Sequence, residues 1–257
     1  MITFIDDDGK QEVWTKLRPL FVSKNIPCVL AISTGLIGQE GYLNMEQLQD
    51  LYQSGWEIAS HTKNHVNLSQ LSRKDQEYEL HESKKDLVSW GLGGNSLVYP
   101  YGEYNLDTIK LARKYYDSAF RATRRGESRL PLHQYILNRD ALGTWTRKGQ
   151  DTLGFYKKRV DISKKKGRWV IFAIHIADTS EIQLDYISQL LEYCIEQKVD
   201  VVTIEEALRR KRNQWYEKLD CKKKTYMLNV FCFMHISALK IFRGIKKIGI
   251  FIMRRRS

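Results

Sequence analysis

Apolar positions along the chain alternate between two periods. Short runs of strand length stand at Ile2–Ile5, Cys28–Ser33, Trp56–Ala59, Ser96–Tyr99, Ser118–Arg121, Tyr135–Arg139, Trp169–Ile174 and Val199–Thr203. Between them, apolar residues recur at helical spacing. Glu12–Lys24 carries Val13, Leu17, Leu20 and Phe21 on one face and stops at Asn25-Ile26-Pro27. Asn44, Ser72 and Asn105 are capping residues for helices reaching Gln53, Trp90 and Tyr116, and Gly55, Gly91, Gly93 and Gly94 break the chain between elements. Further helices are expected over 151–165, 182–197 and 205–212. The stretch 122–134 is polar, holds Gly126 and Pro131, and reads as a loop. Strand and helix in alternation predict an α/β protein with a parallel sheet of about seven strands and helical crossovers.

Charge changes the picture only at one end. The net charge of +12 over 257 residues suggests a nucleic-acid partner until it is located. Residues 209–257 hold 15 Lys and Arg against 2 Asp and Glu; residues 1–208 hold 27 against 28. The body is therefore neutral and offers no electrostatic footprint for nucleic acid. We expect a catalytic domain over 1–212 and a basic, apolar-interleaved extension over 213–257. In that extension Thr225–Leu239 is uncharged but short for a membrane span, so the expectation is a basic amphipathic segment at an anionic membrane surface, or else a packed extension. The four cysteines form no CxxC pair and read as free thiols. No signal peptide is visible, and the chain begins directly on a strand, which suggests a parent protein that starts earlier.

The chemistry collects just past strands. Asp6-Asp7-Asp8-Gly9 follows the first strand, and three adjacent carboxylates repel one another unless a cation offsets them. His61 and His65 stand at i and i+4, a spacing that can converge on one metal if the segment is helical or turned. Pro100-Tyr101-Gly102, Arg139 and His175 also follow predicted strands. In parallel α/β folds, reactive groups gather in loops at the carboxyl ends of strands. Three protein ligands leave coordination sites open, which is the pattern of a catalytic metal. Arg139-Asp140 reads either as a loop ion pair or as the group that orients a base and His175. His81 and His133 read as solvated.

Phe4-Ile5-Asp6-Asp7-Asp8-Gly9, Ser60-His61-Thr62-Lys63-Asn64-His65, Tyr99-Pro100-Tyr101-Gly102 and Ile174-His175 resemble, in order, the motifs of the polysaccharide deacetylases, the NodB-homology enzymes of carbohydrate esterase family 4. Val201–Leu208 resembles the end of that domain, so the resemblance covers about residues 1–210. It implies a distorted (β/α) barrel and metal-dependent removal of N-acetyl groups from amino sugars of a cell-wall or surface polysaccharide, of the N-acetylglucosamine type. By the same resemblance Asp7 is the general base, and Asp8, His61 and His65 are the metal ligands. Tyr101 gives its backbone N–H to the oxyanion and binds substrate, and His175 is the general acid. It also implies a location at the cell surface of a bacterial envelope. A His₂Asp site suits zinc, with cobalt or nickel as alternatives.

Three departures from the family pattern stand out. Asp6 occupies a position that is usually aromatic. Val98 stands where an arginine is usual, and Arg139 is the candidate to replace it in holding the base. The aspartate–tryptophan motif is not clean, and Asp140 and Trp145 are the candidates for it at the substrate. Val98 also suggests a different class of function, a catalytically weakened glycan-binding module on the same barrel; within enzymes, the alternative is a deacylase of another small amide.

Overall fold

A computed structural model describes residues 1–122, 127–128 and 134–217. Its strands are β1 (Ile2–Asp8), β2 (Val29–Ile32), β3 (Glu57–Ser60), β4 (Gly93–Val98), β5 (Ser118–Ala122), β6 (Glu127–Ser128), β7 (Leu137–Ala141) and β8 (Trp169–Ile174). Its helices are α1 (Arg18–Val22), α2 (Met45–Gln53), α3 (Arg73–Ser89), α4 (Leu106–Tyr115), α5 (Leu153–Lys166), α6 (Glu181–Glu196) and α7 (Ile204–Glu217). Seven strands run parallel in the order β1-β2-β3-β4-β5-β7-β8, and β8 pairs back onto β1 from Ile2↔Val170 to Asp6↔Ile174. The sheet thus closes into a barrel of seven parallel strands wrapped by helices, in agreement with the expected fold.

Side chains alternate across a strand, so each strand feeds two environments. From β1, Ile2 and Phe4 join Leu17, Phe21, Leu48, Leu51, Ile187 and Leu191 in the core between strands and helices. Phe4 stacks on Phe172 of β8 at 5.3 Å and meets Phe21 edge-on at 5.5 Å. By the same alternation Thr3, Ile5 and Asp7 face the barrel interior. There Trp169 Nε1 donates to Thr3 Oγ1 at 2.9 Å, which satisfies both buried polar groups. Asp7 is therefore the top of an inward-facing ladder, held at the carboxyl-end mouth.

Several expectations change in detail. The helix over 12–24 is a π-helical turn, Val13–Leu17, followed by α1. Pro19 has no N–H, so the bond that would close on Thr15 cannot form and the ladder is rewound there. Val199–Thr203 is not a strand. β8 covers one edge of β1 and β2 covers the other from Ile5 onward, so only Ile2–Phe4 is left on that edge, and of these Ile2 makes a single bridge to Val201. The two-residue β6, antiparallel to β8, falls inside the stretch read as loop. It is too short for periodicity to reveal.

Two compact units divide the chain, Met1–Ala207 and Leu208–Ser257. Among the described residues no helix is long and apolar enough to cross a membrane. The uncharged run 225–239, its basic flanks, Cys221, Cys232 and His133 lie outside the described residues.

Candidate active site

The carboxyl ends of β1, β3, β4, β7 and β8 bring the candidate groups to one mouth. Among the described residues six non-glycine residues have positive φ, and four of them are here: Asp8 at 82°, Thr62 at 68°, His65 at 54° and Tyr101 at 58°. Such conformations cost on the order of 1–3 kcal/mol each and persist only where surrounding structure enforces them. Backbone strain is thus concentrated at the edge that holds the chemistry.

Asp8, His61 and His65 each turn one ligand atom to a common point, all within 4.8 Å of one another. His61 Nε2 is 3.6 Å and His65 Nε2 is 3.2 Å from Asp8 Oδ1. His61 Nδ1 lies 2.8 Å from the carbonyl of Val98, which can only accept, so Nδ1 carries the proton and Nε2 presents a lone pair. Burial pushes the His61 imidazole down to about 4, which keeps it neutral at physiological pH despite the Asp7 charge beside it. Burial alone would raise Asp8, but the adjacent His65 and the other nearby imidazoles outweigh it, and its carboxyl lies well below the ordinary range. Asp8 Oδ1 is nevertheless buried without a well-formed hydrogen bond among the described residues. A lone pair facing a poorly satisfied carboxylate oxygen suits a cation, and two imidazoles and a carboxylate fit a divalent transition metal.

The loop that carries both histidines is fastened from α3. Glu79 accepts from the backbone N–H of Asn64 at 2.8 Å and from its side-chain amide at 2.7 Å. Ser83 bonds Ser60 at 2.8 Å, and Asp86 accepts from Lys63 at 2.6 Å. Thr62 Oγ1 accepts the His65 N–H at 3.1 Å. The i and i+4 histidines therefore converge through a turn rather than a helix. Sequence reading missed Glu79, Ser83 and Asp86. The available signal was their spacing, which lays three polar residues along one face of α3.

Asp7 sits beside this cluster. Arg139 donates from both terminal nitrogens to its two oxygens, at 2.7 and 2.9 Å. Both side chains are almost fully buried, at 3% and 2% exposure. Burial would raise the Asp7 carboxyl, but Arg139, followed by His61 and His175, takes it below its ordinary value. His175 Nε2 is 3.6 Å from Asp7 Oδ2. Arg139 and Asp140 do not pair with each other. Arg139 lies in β7 and points to Asp7, while its neighbour turns outward, where Asp140 Oδ2 accepts from Arg159 Nε of α5 at 2.7 Å. Asp140 is thus not brought to the Asp7–His175 centre, although it lines a shallow pocket with Trp145, Thr146, Arg147, Gln150 and Phe155.

Tyr101 is 64% exposed and its ring lies against His65, with centroids 4.9 Å apart. Trp145 is 65% exposed; its ring centroid is 6.0 Å from that of His175, and its Nε1 donates to Asp178 at 3.3 Å. Two exposed aromatics therefore flank the mouth, one beside each histidine group. His81 is exposed on α3 and bonds Glu82 at 3.0 Å, apart from the site.

Residues 1–116 match the family model described as polysaccharide deacetylase. The Bacillus subtilis protein YxkH, assigned to the polysaccharide deacetylases, is 30% identical over 115 residues, which is 44% of this chain and 40% of that protein. A poly-β-1,6-N-acetyl-D-glucosamine N-deacetylase of Staphylococcus aureus is 28% identical over 123 residues, 42% of each chain. The chain thus spans about two-fifths of the length of these relatives. Among solved structures, the Streptococcus pyogenes deacetylase PplD in complex with acetate aligns at TM-score 0.51 and 26% identity, over 53% of this chain and 62% of that one. A family 4 carbohydrate esterase from Streptomyces lividans aligns at TM-score 0.58 over 79% of this chain and 90% of that one; at 13% identity this likeness shows the fold alone.

Proposed function

We propose, on the premise that the chain belongs to the polysaccharide deacetylase family through residues 1–116, that it is a metal-dependent hydrolase of N-acetyl groups on amino sugars of a polysaccharide. The observation that carries this reading is the adjacency of two differently equipped carboxylates. Asp8 faces two imidazoles, and Asp7 faces a guanidinium and the imidazole of His175. One is equipped to hold a cation and the other to move a proton.

An amide is a weak electrophile with a poor leaving group. A divalent cation held by Asp8, His61 and His65 would polarise the acetyl carbonyl and acidify water. Asp7, kept ionised by Arg139, accepts the proton of the attacking water. The carbonyl carbon gains a bond to the water oxygen, and the backbone N–H of Tyr101 is the proposed donor to the developing oxyanion. His175 delivers a proton to the sugar nitrogen as the C–N bond breaks, so that acetate and a free amine leave. Arg139 also answers the absence of an arginine at Val98: the base is held from β7 instead. That supports an active enzyme over a weakened glycan-binding module.

The relatives named as poly-β-1,6-N-acetyl-D-glucosamine N-deacetylases favour an N-acetylglucosamine polymer as the substrate class. Zinc suits the donor set best, with cobalt and nickel as alternatives, and a surface polysaccharide places the reaction at the outside of a bacterial envelope. Acetate release from N-acetylglucosamine oligomers, measured before and after chelation and on restoring metal, tests the reading. Release that stops with chelator and returns with zinc or cobalt supports it. Metal binding with no release would favour the glycan-binding module.

A further inference from the structure

Asp6 is the one member of the acidic triplet with no part in the proposed chemistry. Its side chain is fully buried. Placing a carboxylate where an apolar side chain would pack costs free energy unless its partners compensate. Only one partner is seen: Asp6 Oδ2 accepts the backbone N–H of Ile176 at 2.9 Å, and Oδ1 is buried with no hydrogen-bond partner among the described residues. That single bond has a particular address. Asp6 lies opposite Ile174 across the β1–β8 seam that closes the barrel, and Ile176 is the residue immediately after His175.

The turn that begins at His175 is fastened at its other points as well. The carbonyl of His175 accepts from the N–H of Asp178 at 3.0 Å and from Thr179 Oγ1 at 2.9 Å. Asp178 accepts from Trp145 Nε1 at 3.3 Å. These contacts fix the turn to itself and to the loop after β7. Asp6 alone among them ties it to β1, the strand that carries Asp7. Because Asp6 and Asp7 are consecutive in a strand, their side chains leave on opposite faces. Asp7 enters the barrel mouth, and Asp6 reaches behind the seam to the turn that bears His175. One stretch of backbone thereby sets both partners of the 3.6 Å Asp7–His175 contact.

We infer that Asp6 is a positioning residue that fixes His175 relative to Asp7 through its hydrogen bond to the Ile176 N–H. The inference deepens the proposed deacetylase reading, on which the word acid for His175 rests; the hydrogen bond itself does not depend on it. A displacement of about 1 Å between reacting groups is enough to cost on the order of a hundredfold in rate.

The test compares the full chain with Asp6→Leu, which removes the acceptor, and Asp6→Asn, which keeps an acceptor oxygen without the charge. The first readout is amide hydrogen exchange at Ile176, followed by NMR. Protection in the wild type, retention in Asp6→Asn and faster exchange by about tenfold or more in Asp6→Leu are expected. The second readout is acetate release. In Asp6→Leu, kcat falls by about ten- to a hundredfold while KM and zinc affinity stay within about twofold, and Asp6→Asn recovers most of the rate. An Asp6→Leu protein that loses Ile176 protection yet turns over like wild type overturns the inference. So does an Asp6→Asn protein as impaired as Asp6→Leu. If Asp6→Leu does not fold, Ile176 exchange in the wild type and in Asp6→Asn decides, and an Ile176 amide as fast as an open loop overturns it. Wild type that binds metal and releases no acetate removes the deacetylase reading, while the exchange arm still judges the Asp6 bond.

Discussion

Arg139 reaches from β7 across the barrel mouth and takes both carboxylate oxygens of Asp7, at 2.7 and 2.9 Å, with neither group in water. A two-point grip fixes the plane of the carboxylate as well as its charge. Removing one partner of a buried pair strands the other, at a cost of about 3–5 kcal/mol. Arg139→Met should therefore lower both the denaturation midpoint and kcat. Arg139→Lys restores charge but not the fork, and should recover stability better than turnover. Chemical denaturation and acetate release measured on the same preparations check this. Equal recovery of both by lysine would show that charge alone matters.

Gly102 holds the turn that presents Tyr101. Its φ is +71°, and an added Cβ would stand 2.7 Å from Ala122 Cβ and 2.8 Å from Ala122 N. Backbone lies against that position, so the clash cannot be relieved by a side-chain rotation. Gly102→Ala should destabilise the protein by about 1–3 kcal/mol and displace Tyr101, with a loss of turnover that follows. A thermal midpoint unchanged from wild type would contradict it.

Glu57 predicts a pH dependence of stability. Its Oε2 accepts the backbone N–H of Glu205 at 2.9 Å, and burial is the main cause that pushes its carboxyl up to about 7. An acid whose folded pKa is raised binds more protons folded than unfolded between the two values. Its contribution is therefore full below the unfolded value of about 4.3 and is lost as pH rises through about 7. Lowering the pH from 8 toward 5 should raise the thermal midpoint through this group. Glu57→Gln, which keeps an acceptor for Glu205, should flatten that part of the profile, and an unchanged slope would assign it to other residues.

The fold was legible because parallel strands buried on both faces read as apolar runs, and capping residues marked Asn44, Ser72 and Asn105 as helix starts, where caps are observed. The exception at Val199–Thr203 arose because periodicity reports burial and not whether a strand edge is free. The site was legible as residue types on one edge. What spacing could not give was direction. Arg139 and Asp140 are adjacent letters on opposite faces of β7, and only the strand register sends one to Asp7 and the other to Arg159. Asp6 was likewise unreadable, since its partner is a backbone N–H 170 positions away. The spacing of Glu79, Ser83 and Asp86 places them on one face of α3, but such a face looks solvated until Glu79 is seen bonded to Asn64.

Asp7 and Asp8 divide the labour of the proposed site, and one paired measurement tests that division. Zinc binding by calorimetry and acetate release from N-acetylglucosamine oligomers are measured for wild type, Asp7→Asn and His61→Ala. We predict that Asp7→Asn binds zinc as wild type does and loses turnover by about a hundredfold or more, whereas His61→Ala loses both. Loss of zinc in Asp7→Asn, or wild-type turnover indifferent to chelator, would contradict it.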